Sequence, residues 1–341
     1  MESSKALKVL NPKSVWLPVI LGLGLVAFMA YRDNQFTAES FALFSDFRLP
    51  FILIAFFVIC IKDGLNGLRV NLISHSNIDF FPALRIVLLW EFAIAVTPPL
   101  VGAAAVLVFI IFKEGQTFGK ALAYTLLLAI LDNLFFLTAS PLALWLSNGE
   151  VLPMNTTDSS FLEKGMTGVF WYSYTTIVLF TFFMLSALLF FPKTVRKLLS
   201  SLMKGKLLNR WESVVMKQSD EMVLASQVLK GQSLMYWAKL LFITYLIWIF
   251  KFVLVNVWVS GFIGFDWSNQ ALMIGRHLTM WIVMLVSPSP GNAGTAEIIF
   301  PLFFEEYAGR YSFLSSILWR LSTYYPYLIV GVLLIPKWWK K

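Results

Sequence analysis

Ser287-Pro-Ser-Pro-Gly-Asn-Ala-Gly-Thr-Ala-Glu297 lies between two apolar runs, residues 271–286 and 298–304. At about 1.5 Å of rise per residue the runs would reach roughly 24 Å and 10 Å. A hydrocarbon core is about 30 Å thick, so neither crosses it alone. Pro288, Pro290, Gly291 and Gly294 interrupt any helix between them, because proline lacks the N–H and glycine is entropically costly there. Broken backbone at membrane depth persists only where protein buries it or water fills a cavity beside it. The stretch therefore reads as a re-entrant hairpin of two half-helices; a proline-kinked span and a short loop between two spans are the alternatives. A half-helix starting after Gly294 would turn unpaired N–H groups and a positive dipole end toward an anion.

The composition sets the class around this stretch. Apolar residues make up 58% of the 341 and charged residues 13%, where a soluble domain carries about 25% charged. The chain reads as an all-α polytopic integral membrane protein, treated as one transmembrane domain over 1–341. Full spans are expected at 15–31, 49–61 (continuing as helix toward 68), 121–147, 166–191, 235–260 and 312–335. Two broken helical hairpins add to these six spans. One is the opening stretch; the other is 81–96 with 100–112, split by Thr97, Pro98 and Pro99, with Gly102 following. The basic residues before 15–31 imitate a signal peptide, but that run is long for one and reads as a retained span. The single Cys60 permits no intrachain disulfide.

Lys and Arg distribute unevenly between the connections. With the N-terminus inside, 19 fall in cytoplasmic segments and 4 in outside ones. This predicts a cytoplasmic (inner) membrane protein with both termini cytoplasmic, and it explains the net charge of +8 without nucleic acid. The longest polar segment, the basic linker at about 192–232, reads as two amphipathic helices broken near Lys204. They would lie on an anionic membrane surface or pack on the protein's own cytoplasmic ends.

A displacement of 191 residues places Arg85 on Arg276, Trp90 on Trp281, Pro99 on Pro290, Ala105 on Ala296, Phe109 on Phe300 and Phe112 on Phe303. Six identities in 28 positions are few, and chance likeness of aromatic-rich helices is the alternative. The order span, span, broken pair, span occurs twice, over about 15–147 and 166–336. An odd number of crossings between the copies would make the second inverted, with a site at their interface near the bilayer midplane.

Seven ionisable residues interrupt apolar runs: Glu91, Asp132, Lys239, Lys251, Arg276, Glu297 and Arg320. Such residues face protein or water rather than lipid. Lys239 stands near a run's end and snorkels. Glu91, Asp132 and Lys251 fit ion pairing with neighbouring helices as well as they fit function. Arg276, Glu297 and Arg320 surround the broken stretch, and arginine suits a phosphate through two parallel charged hydrogen bonds. No metal spacing, nucleophile elbow or phosphate-binding P-loop occurs. The expectation is a protein without cofactor or metal that is not an enzyme.

Pro288-x-Pro-Gly-x-x-Gly-x-x-Glu297 resembles the signature of the lysylphosphatidylglycerol synthase transmembrane family, the flippase-like domain. Trp319-Arg320, Tyr324-Tyr325-Pro326 and Gly331 resemble that family's arginine-containing last helix. A weaker match runs from Pro98-Pro99-x-x-Gly102 through Gly115 to Asp132. There the chain departs from the family pattern, with Gly102-Ala103 and Val106 where a glutamate and an arginine are usual, and Leu128-Ala129 before the aspartate. The resemblance covers the transmembrane domain only, not the soluble synthase domain that some relatives append. It implies a lipid transporter moving an anionic phospholipid or a polyprenyl-phosphate-linked lipid. Arg276, Ser289, Asn292, Thr295 and Arg320, with the half-helix start at Gly294, would hold the phosphate, while Glu297 would pair with an arginine or read a cationic headgroup; Pro98, Pro99, Gly102, Pro288, Pro290 and Gly291 would shape the hairpins. A secondary transporter of a small soluble anion, and a non-transporting partner of a lipid- or glycan-modifying enzyme, are the other readings.

Overall fold

The computed structural model describes residues 42–97, 103–152, 161–203 and 212–339, and every regular element among them is helical. The expected first span at 15–31, together with Pro98, Pro99, Gly102 and Lys204, lies outside the described residues. Helix α1 (Pro50–Ile73) carries proline in its first turn, where the missing N–H is harmless. It runs unbroken through Lys62, Asp63 and Arg69, past residue 61 where the expected apolar span ended. Lys62 and Arg69 are 3% and 1% exposed inside the helix bundle. Helix α2 (Phe80–Val96) ends at Thr97, which is extended (φ −125°, ψ 153°) as the residue before a proline must tend to be. Helix α3 (Ala103–Lys113) returns, and α4 (Phe118–Leu146) follows, capped by Thr117.

Helix α5 (Phe161–Leu185) closes in a π-turn at Ser186–Phe190, followed by α6 (Pro192–Met203) and α7 (Glu212–Lys230) of the basic linker. Ala225 and Leu229 of α7 join a buried core with α4, and Ser226 Oγ donates to the Leu188 carbonyl. Of the two linker readings, α7 follows the one in which the segment packs on the protein. Helix α6 keeps Lys193, Lys197 and Leu198 exposed and pairs Arg196 with Asp220 of α7.

Helix α8 (Leu234–Ile263) starts on a Ser233 cap, which accepts from the Tyr236 N–H at 3.2 Å, and stops at Gly264 with φ +92°. It packs along α1 in the antiparallel sense. At one end the Arg48 N–H donates to the Gly261 carbonyl at 2.9 Å; at the other, His75 stacks on Tyr236 with centroids 5.5 Å apart. Then come α9 (Trp267–Met284) and α10 (Thr295–Ala308), joined by the quoted stretch. The expected single span at 312–335 is two helices, α11 (Ser312–Thr323) and α12 (Tyr325–Trp339). The break falls at Tyr324 (φ −123°, ψ −60°), because Pro326 cannot donate to a preceding turn and disfavours helix just before itself.

Each broken pair doubles back. Arg85 of α2 donates through Nε and Nη2 to Glu114, just past α3, at 2.8 and 2.6 Å. Arg276 of α9 reaches the end of α10, pairing with Glu306 at 2.7 Å and donating to the Phe303 carbonyl at 3.1 Å. The displacement that aligns these arginines also carries α1 onto α8, α2 onto α9, α3 onto α10, and α4 onto α11 with α12. Contacts repeat with it: α2 lies against α12 as α9 lies against α4. Gly331 lets α12 approach α2 closely, since a Cβ there would stand 2.1 Å from the Phe92 ring.

Candidate functional site

The two hairpins touch at their tips. The second tip turns through Gly291 and Asn292, both left-handed at φ +57°, a conformation that glycine adopts freely and asparagine tolerates. The Gly291 N–H donates to the Thr97 carbonyl of the first tip at 3.2 Å. A side chain at Gly291 would stand 2.7 Å from the Ala95 carbonyl oxygen and 2.3 Å from the Tyr324 ring. The tip is bonded internally: Ser287 Oγ lies 2.8 Å from both Ser289 Oγ and Thr295 Oγ1.

The helix N-terminus expected to await an anion is already occupied. Glu297 Oε2 accepts from the Gly294 N–H at 2.7 Å, half of a capping box whose other half glycine cannot supply. Its Oε1 accepts from Arg320 Nε at 2.9 Å, and Arg320 Nη1 donates to the Gly291 carbonyl at 3.1 Å. Arg320 also stacks over the Tyr324 ring, 4.0 Å from its centroid. One arginine therefore ties the end of α11 to both sides of the tip. Its Nη2, Asn292 Oδ1 and the Tyr324 hydroxyl are buried without a partner among the described residues, which is costly unless something else satisfies them.

Those three residues border a cavity of about 70 Å³, shared with Lys62, Glu91, Lys251, His277, Trp281, Trp319 and Tyr327. By that measure it has room for several waters. Lys62 lies 2.8 Å from Glu91 and 2.8 Å from Asp63, and the Tyr327 hydroxyl donates to Asp63 at 2.9 Å. Lys251 makes no salt bridge among the described residues; its ammonium lies 3.9 Å from the Trp281 centroid and 4.8 Å from that of Trp248. Such a cation–π seat keeps the charge available to the cavity. His277 is fixed through Nδ1 to the Phe252 carbonyl at 3.0 Å.

The predicted site residues thus divide. Gly291, Asn292, Arg320, Glu91 and Lys251 line one cavity. Glu297, Gly294, Ser289 and Thr295 stand behind it, as the frame of the tip, with Pro290 starting its turn and Pro288 between the two bonded serines. Arg276 is at the opposite end of the hairpin, engaged with Glu306, Phe303 and the Glu150 carbonyl, so it does not share a site with Arg320. Asp132 is bound by Arg69 at 2.5 Å and by Trp248 Nε1 at 2.9 Å. The sequence reading missed Lys62, Asp63 and Arg69. Lys62, Asn66 and Arg69 recur at helical spacing, which would have flagged one polar face on the helix that α1 continues.

An all-helical bundle with four apolar helices long enough to span a membrane, a broken apolar segment (Thr295–Trp339) beside them and a charged interior defines a multi-pass membrane protein. The chain belongs to the lysylphosphatidylglycerol synthase transmembrane-region family, whose model matches residues 15–331. No curated protein and no solved structure matches it.

Proposed function

We propose that the protein is a flippase-like transporter that carries an anionic phospholipid, or a polyprenyl-phosphate-linked lipid, headgroup-first across the cytoplasmic membrane. One observation carries the reading: at the cavity where the two hairpin tips meet, Arg320 Nη2 is buried, cationic and without a hydrogen-bond partner among the described residues. A phosphate oxygen there would accept from Arg320 Nη2 and the Tyr324 hydroxyl, with Lys251 beside it. The antiparallel packing of α1 on α8 and the tip-to-tip hairpins support an inverted repeat with a midplane site. Both hairpins then enter re-entrantly, one from each side. With Lys62 and Arg69 moved inside the bundle, the positive residues still favour cytoplasmic termini.

A lipid is preferred over a soluble anion because of a second groove. A space of about 480 Å³ between α4, α8 and α9 is lined by Leu142, Leu146, Ile249, Leu272 and Leu278. It is separated from the cavity by the bonded pair His277 and Phe252. An acyl chain in this groove would lie one side chain from a headgroup in the cavity.

The test is translocation of a fluorescent phosphatidylglycerol in vesicles reconstituted with the protein. Lys251→Met, which breaks no salt bridge among the described residues, should translocate at least tenfold more slowly, with its unfolding midpoint measured on the same samples. Absence of translocation by the wild type, or an unaltered rate in Lys251→Met, would refute this path.

A further inference from the structure

The charges at the cavity balance. Lys62, Lys251 and Arg320 are opposed by Asp63, Glu91 and Glu297, three against three. An anion entering this site would leave one negative charge uncompensated in a low-dielectric interior, and such a charge is strongly unfavourable there. A proton taken up by one of the carboxylates removes the excess.

The three carboxylates differ in their freedom to take it. Glu297 uses one oxygen on Arg320 and the other on the Gly294 N–H. Asp63 accepts from Tyr327 on both oxygens and from Lys62 on one. Neither lines the cavity. Glu91 does, and it accepts one bond, from Lys62 to Oε1, leaving Oε2 without a hydrogen bond among the described residues. The charged and titratable groups facing it are Lys62, Asp63 and Arg69 from α1, Lys251 from α8 and Tyr327 from α12, with His277 of α9, Arg320 of α11 and Tyr324 lining the same cavity. The tip turn Pro290–Asn292 brings none, and Lys113 of α3 is far off, beside Trp338 and Trp339. Once Glu91 is protonated, Asp63 still neutralises Lys62, and Lys251 is left to face the anion.

We propose that the anion binds together with one proton, held on Glu91 at the cavity wall, so that the two cross without net charge. This rests on the anion-site reading above and narrows it to lipids with one negative charge, such as phosphodiesters. Proton and anion enter as separate species and leave as such; no bond in the lipid is made or broken.

The experiment is calorimetric titration of the full-length protein in detergent with dihexanoyl phosphatidylglycerol, in two buffers of different ionisation heat at one pH. About one proton should be taken up per lipid bound, and affinity should fall about tenfold per pH unit on the alkaline side. Glu91→Gln should bind the lipid with no proton uptake and no pH dependence. Wild-type binding without proton uptake would overturn the coupling and leave the anion site standing. Uptake persisting in Glu91→Gln would overturn the assignment to Glu91. A wild type that binds no lipid would overturn the site itself. The wild-type proton count decides the coupling even where a variant does not fold.

Discussion

The amide of Gly291 donates to the carbonyl of Thr97 across 3.2 Å, so the two hairpins are joined backbone to backbone where each is broken. That approach needs a residue without Cβ at φ +57°. Gly291→Ala should therefore destabilise the protein by about 2 kcal/mol or more, from left-handed strain and overpacking together. Thermal unfolding in detergent measures it. An unshifted midpoint would mean the tips do not meet this way.

Glu297 caps α10 and holds Arg320 at once, with both side chains under a tenth exposed. Glu297→Gln leaves the guanidinium unneutralised and should cost about 3–5 kcal/mol. Arg320→Lys keeps the charge but cannot bond Glu297 and the Gly291 carbonyl with one planar group, and about 1–3 kcal/mol is expected. Chemical or thermal denaturation of both variants should give that order; the reverse order would contradict the geometry.

The clasps at the open ends of the hairpins differ in exposure. Glu114 is 6% exposed and also accepts from Trp338 Nε1 at 2.7 Å, whereas Glu306 is 65% exposed. Glu114→Gln should lower the unfolding midpoint clearly, while Glu306→Gln should cost about 0–1 kcal/mol. Equal losses would show that solvent does not screen the second clasp.

Acid should loosen the start of α9. Asp266 accepts from the Ser268 hydroxyl and, at 3.1 Å, from its N–H, and these bonds hold the carboxyl below its usual range. Its stabilisation is therefore present above the ordinary aspartate pKa and lost as pH falls through the lowered one. Exchange of the Ser268 amide hydrogen should quicken on acidification in the wild type relative to Asp266→Ala, which should be fast throughout.

Orientation is tested with reporters. One fused after Lys341 should report cytoplasm, and one inserted at Asp158 the outer face. Opposite results would reverse the direction assigned to both hairpins.

The sequence disclosed the second hairpin because prolines and glycines interrupt its apolar pattern locally, and the 191-residue displacement because Arg85 and Arg276 stand at matching places. It disclosed α4 and α8 for a different reason: long apolar runs announce themselves. It did not disclose Lys62 and Asp63, because charge ended the apolar run at Ile61 and two of their partners, Glu91 and Tyr327, are distant in the chain. The half-helix start after Gly294 was found, but its vacancy was misjudged. Glu297 satisfies it from three residues on, a contact that the capping-box spacing could have announced. Tyr324 was read through as helix although Pro326 follows closely.

The arginine clasps bear on how such a molecule would move. Each hairpin is fastened where it opens, by charged contacts, yet among the described residues one amide–carbonyl bond links the two hairpins at the tips. A bond of that kind contributes about 1 kcal/mol net, close to thermal energy. If the hairpins enter from opposite faces as proposed, that bond is a cheap place to part, and each hairpin would act as a lever anchored at its own membrane face. Opening between them needs no helix to unwind and no clasp to release.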